Sequence, residues 1–65
     1  MSFGTIKAVD HDKQIAFILP DDRTADVFLP PPLFREMDDM RRGMRVEYSA
    51  TMTEKGARAT AVAAA

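Results

Sequence analysis

Apolar and polar residues alternate along most of the chain, and the alternation is interrupted at DHDK, PDDRT, PPP and TEKG. FGTIKAV, Phe3 to Val9, is rich in β-branched and apolar residues and runs into DHDK, four polar residues that predict a hairpin turn. In QIAFIL, Gln14 to Leu19, a period of two puts Ile15, Phe17 and Leu19 on one face and Ala16 and Ile18 on the other. PDDRT then supplies proline and aspartate for the next turn. In ADVFLP, Val27 and Leu29 share one face and Phe28 takes the other, and three consecutive prolines, which lack the N–H a ladder needs, end a short third strand.

From Leu33 to Arg42 the period changes. Leu33, Met37, Met40 and Met44 recur every three to four residues, and Gly43 follows Arg41 and Arg42, which predicts a short helix or helical turn with a glycine C-cap. MRVEYSATM returns to alternation, with Val46 and Tyr48 facing one way and Arg45 and Glu47 the other. TEKG turns, ARATAV makes a weak last strand, and only alanine follows Val62. Five strands in a three-plus-two grouping, with a helical turn between strands three and four, predict an all-β fold: a small five-stranded antiparallel barrel of the oligonucleotide-binding kind. A small open sandwich is the alternative. The expected core is Ile6, Ile18, Val27, Leu29, Val46 and Tyr48.

Length limits this to one domain over residues 1–65, with a core from about 3 to 63 and alanines 63–65 as a frayed end or the start of a linker. A chain of this size buries only about 60% of the surface its unfolded form exposes. Without cysteine, apolar packing alone must stabilise it, and neither a disulfide nor a thiolate metal site is available. MSFGTIKAVD has no secretory pattern, nor any approach to the roughly 18 apolar residues that span a bilayer. The expectation is a soluble, cytoplasmic protein without a membrane partner.

The net charge of −1 argues against general polyanion binding. Residues 1–32 carry three basic and five acidic side chains and residues 33–65 six and five, so the half with the candidate surface is the acidic half.

Several of these segments match a known pattern. GTIK near the start, DK before the second strand, FI and PDD around its end, DVF, RVEY, KG and the final AV resemble the bacterial cold-shock proteins, five-stranded barrels that bind single-stranded RNA and DNA. The resemblance runs almost ungapped from Gly4 to Val62. It implies a stacking platform at Ala8, Ile15, Phe17, Phe28, Pro30 and Pro31, positions where the family carries aromatic rings and a histidine, and only Phe17 and Phe28 keep a ring. Gln14 and Ala16 replace the family's strand-two glycines, and Val9 stands where a ring is usual. Lys7, Lys13 and Asp26 match the pattern, and Lys55 and Arg58 fall on the last loop, where strand contacts are also made.

Stacking a base on an aromatic ring is worth roughly 1–3 kcal/mol. Four lost platform groups therefore remove on the order of 4 kcal/mol, about a thousandfold in affinity. The resemblance thus implies a weak single-stranded RNA or DNA binder, an RNA chaperone or regulator, using Lys7, Lys13, Phe17, Asp26, Phe28, Lys55 and Arg58. The alternative is a diverged barrel whose exposed apolar patch of Ala8, Ile15, Phe17, Phe28 and Pro30 contacts a protein partner or a second copy.

No nucleophile lies near a base in the sequence, and the chain has one histidine and no phosphate loop, so no catalytic residue and no cofactor is expected. Asp10, His11 and Asp12 diverge on a turn and predict a solvated hairpin, not a metal site. Leu29 to Phe34 lacks PxxP spacing and predicts a strand stop, not a polyproline ligand. Met37, Met40 and Met44 are expected in the core.

Overall fold

The computed structural model describes residues 1–37 and 39–65. The elements run β1 (Ser2–Asp10), β2 (Ile15–Pro20), β3 (Val27–Leu29), α1 (Pro31–Glu36), β4 (Arg45–Thr53) and β5 (Gly56–Ala64). The strands close into a barrel in the order β1-β2-β3-β5-β4. The β3–β5 pairing that seals it is parallel, with Val27 opposite Ala57 and Phe28 opposite Arg58, and the other pairings are antiparallel. None of the described helices is long and apolar enough to cross a membrane.

Alternation decides the interior. Ala16 and Ile18 from β2, Val27 and Leu29 from β3, and Val46 and Tyr48 from β4 are buried with Ile6 and Ala59, and no buried side chain among the described residues is polar or charged apart from the tyrosine hydroxyl. All six expected core residues lie there.

β1 departs from strict alternation. Ile6 lies opposite Ile18 and Ala8 opposite Phe17, so Lys7 is an extra residue at an irregularity in the ladder. A bulge of this kind turns the strand's next side chain to the other face. As a result Ile6 points inward while both Lys7 and Ala8 are exposed.

Gly4 sits where the strands are most crowded. A Cβ there would lie 2.6 Å from Ile18 Cγ2, 2.8 Å from the Leu19 carbonyl oxygen and 3.2 Å from Tyr48 Cε1. The backbone oxygen cannot move aside without disturbing the ladder. Gly4→Ala is therefore expected to lower stability by about 1–3 kcal/mol, seen as a lower denaturant midpoint at unchanged slope.

The helix is shorter and begins earlier than the methionine spacing predicts. It spans Pro31–Glu36, not Leu33 to Arg42, and Asp38 within that predicted range lies outside the described residues. The prolines both end β3 and start α1. Pro30 is extended (φ −77°, ψ 163°), as a residue before proline prefers, and Pro31 and Pro32 fill first-turn positions where a missing N–H loses no helical bond. The Pro30 carbonyl accepts from the N–H groups of Leu33 at 3.1 Å and Phe34 at 3.0 Å. Met37 is extended, Asp39 has φ +58° and Gly43 φ +90°, none of which a continuing helix allows.

Gly43 therefore does not cap the helix. It donates to the Ile6 carbonyl at 2.8 Å in the turn that leads into β4. Met40 is buried, and Leu33, Met37 and Met44 pack against the core with it, joined by Phe34, which the spacing does not single out. Most of the alanine end continues β5: Ala63 pairs with Glu47 and Ala64 with Val46.

Candidate nucleic-acid interface

Because β2 and β3 pair in register, Phe17 lies directly opposite Phe28 on the outer face. The rings are 5.7 Å apart between centroids and tilted by 52°. Phe17 is 37% exposed and Phe28 half-buried, and neither enters the core. Parallel pairing with β5 brings Arg58 alongside, its guanidinium carbon 5.9 Å from the Phe28 centroid. That is near the outer limit of a cation–π contact.

Phe17 and Phe28 form one wall of a cleft of about 370 Å³, completed by Thr53, Lys55, Gly56, Ala57 and Arg58. Gly56, at φ +118°, permits the tight β4–β5 turn that carries Lys55. The Thr53 hydroxyl stiffens this turn by donating to the Gly56 carbonyl at 2.7 Å and accepting from the Lys55 N–H at 3.2 Å. Thr53 and Gly56 belong to the TEKG turn read from the sequence, whereas Ala57 carries no residue-type signal and contributes shape.

The basic candidates differ in state. Lys7 Nζ lies 2.9 Å from Asp26 Oδ2, so two residues expected to contact a strand hold each other instead. Such an exposed pair is worth about 0–1 kcal/mol and opens easily. Lys13 sits in the β1–β2 turn, where Asp10 Oδ1 accepts the N–H groups of Asp12 at 3.0 Å and Lys13 at 3.1 Å. His11 meets Phe34 edge-on at 5.7 Å. Arg35 Nε donates to Gln14 Oε1 at 2.7 Å and ties α1 to this turn. The side chains of Lys13, Lys55 and Arg58 make no ion pair among the described residues.

The positions without rings separate into two groups. Ala8 is exposed beside Phe17, and Ile15 is half-buried on the Phe17 side of β2. Pro30 is buried, which removes it from the expected exposed apolar patch, because it forms the junction where β3 passes into α1. Pro31 is the first residue of that helix, so neither proline extends the ring surface.

On another flank, Arg45 holds Asp21 through two bonds, Nη1 to Oδ1 at 2.6 Å and Nη2 to Oδ2 at 2.8 Å, and Nη1 also donates to Thr5 Oγ1 at 3.0 Å. The hydrogen bond from Arg45 keeps the Asp21 carboxyl below its ordinary value, and the Thr24 hydroxyl and N–H do the same for Asp22. The folded-state values are depressed. The stability these groups lend is therefore present above the unfolded carboxylate range near ~4 and lost as pH falls through the lowered values. Thermal melts from pH 5 to pH 2 are expected to show that loss, and Arg45→Met is expected to flatten it.

A closed five-stranded barrel with two outward rings on adjacent strands, and basic side chains near them that make no ion pair among the described residues, defines a small oligonucleotide-binding domain. The model of the 'Cold-shock' DNA-binding domain family matches residues 2–65, and the chain belongs to that family of nucleic-acid-binding, non-enzymatic domains. A search of curated proteins finds no significant match.

Proposed function

We propose that the chain binds single-stranded RNA or DNA weakly, as a cytoplasmic RNA chaperone or regulator that keeps strands unpaired. The Phe17–Phe28 pair facing Lys55 of the β4–β5 turn and Arg58 of β5 across an open cleft carries this reading. One or two bases stack on the rings while the phosphates run along the basic rim. Arg58 already lies over Phe28, so an incoming base either stacks on the guanidinium or displaces it toward a phosphate. Lys7 joins only when its pair with Asp26 opens.

Two rings in place of six platform groups set the affinity in the micromolar range or weaker. Titration of labelled oligothymidine and oligouridine at low and physiological salt tests this. With Lys13, Lys55 and Arg58 as the phosphate contacts, the logarithm of affinity is expected to fall against that of salt with a slope of about −2. No binding at low salt removes the reading.

Restoring rings is expected to strengthen binding. Ala8 is exposed and Ile15 half-buried, and both lie beside Phe17, so Ala8→Trp with Ile15→Phe is expected to tighten binding about tenfold or more.

A further inference from the structure

A second, smaller cleft opens where the β1–β4 pairing meets the β2–β3 turn. Ser2, Phe3, Pro20, Asp21, Asp22 and Tyr48 enclose about 190 Å³, and none of them lines the Phe17–Phe28 cleft. Phe3 is 47% exposed, and the β1–β4 register puts Glu47 directly across from it. The Asp21 N–H donates to the Phe3 carbonyl at 3.1 Å, which fixes the carboxylate-bearing turn against β1.

Two polar groups here have no protein hydrogen-bond partner among the described residues. Tyr48 is 4% exposed and lines the cleft; its hydroxyl, the part of the side chain open to solvent, makes no hydrogen bond to the protein among the described residues. Asp22 Oδ1 accepts from the Thr24 N–H at 3.1 Å and hydroxyl at 2.7 Å, while Oδ2 has no hydrogen-bond partner among the described residues. Two carboxylates line the cleft, Asp21, which Arg45 holds, and Asp22, which forms no ion pair among the described residues. The Tyr48 phenol is pushed above its ordinary value, first by burial and then by the charges of Asp22 and Asp21.

A space this size is below the roughly 300–1,000 Å³ of sites for free small molecules and suits one long side chain. The carboxylates repel phosphate, so nucleic acid is the wrong occupant. An exposed ring, an open carboxylate oxygen and a phenol favour a planar cation that can both stack and donate several hydrogen bonds, which describes guanidinium and not ammonium.

We propose that this cleft docks an arginine side chain from a basic segment of a protein partner, the guanidinium lying on Phe3 and donating to Asp22 Oδ2 and the Tyr48 hydroxyl. The site is independent of the nucleic-acid surface and leaves it free, so the barrel presents one face to a strand and another to a protein.

The test is an NMR titration of the full chain with acetyl-Gly-Arg-Gly-Arg-Gly-amide at low salt, with the lysine counterpart in parallel. Saturable shifts at Phe3, Asp22 and Tyr48 are expected. Asp22→Asn and Phe3→Ala, each checked for an unchanged fold by thermal melting, are expected to weaken peptide binding about fivefold or more. Phe28→Ala is expected to leave peptide binding unchanged, and Asp22→Asn to leave oligonucleotide binding unchanged. Absence of a response overturns the proposal, as do non-saturating shifts spread over Asp10, Asp12 and Glu54, equal binding of the lysine peptide, or wild-type affinity in both variants.

Discussion

Val27→Asp is expected to leave the chain unfolded at room temperature. Val27 is 3% exposed in a three-residue strand, between Ile18 of β2 and Ala57 of β5, in the segment that closes the barrel. No charged side chain among the described residues is buried to receive the carboxylate. An unpaired buried charge costs several kcal/mol. The whole domain, at the usual ~0.05–0.15 kcal/mol per residue, has only about 3–10 kcal/mol to lose. Circular dichroism is expected to show a coil-like spectrum without a cooperative melt. Val27→Ala, which leaves a small cavity and no charge, is expected to stay folded and lose about 2 kcal/mol. A Val27→Asp variant that melts with the wild type would mean that β3 presents its other face to the interior.

Phe28→Ala is expected to weaken oligonucleotide binding by about 1–3 kcal/mol, tenfold or more at the middle of that range, with the melt little changed. Phe17→Ala is expected to act in the same direction. Phe28 has the larger effect because its ring touches both the Phe17 ring and the Arg58 guanidinium. With the two rings in contact, the double variant is expected to lose less than the sum of the single losses. Salt separates this reading from protein contact at the same surface: phosphate binding weakens as salt rises, whereas apolar association holds or strengthens. Wild-type protein that binds no oligonucleotide at low salt, and sediments as a dimer broken by Phe28→Ala, would make self-association the better account.

Much of the fold is legible in the residues because a period of two is local. Ile18, Val27, Leu29, Val46 and Tyr48 sort to the inside by alternation alone, and Phe28 sorts to the outside by the same count. The helix is where local periodicity misleads. Met37, Met40 and Met44 do pack on or into the core, but they reach it from an extended residue and turns, because burying Phe34 and Met40 at the barrel outweighs an intrinsic helical spacing. PPP stops the strand as the missing N–H groups require. The same prolines start the helix, a second consequence that depends on Phe34 finding the barrel one turn later.

By itself the sequence determined the five strands, the inward set and the two rings at Phe17 and Phe28, since each depends on contacts within a few residues. Tertiary structure alone decided which cations are available. Lys7 and Asp26 are 19 residues apart and meet only because the barrel closes, whereas Arg58 comes alongside Phe28, and Lys55 onto the same cleft, only through the parallel β3–β5 pairing. It also decided that Pro30 is buried, and it shows how Ala8 comes to face out as the resemblance implies, through a one-residue irregularity that alternation cannot foresee. The cleft at Phe3 was invisible for the same reason. Its walls come from the start of β1, the end of β2 with the turn after it, and the middle of β4, and no stretch of sequence holds the Phe3 ring, the Asp22 carboxylate and the Tyr48 phenol together until the strands pair.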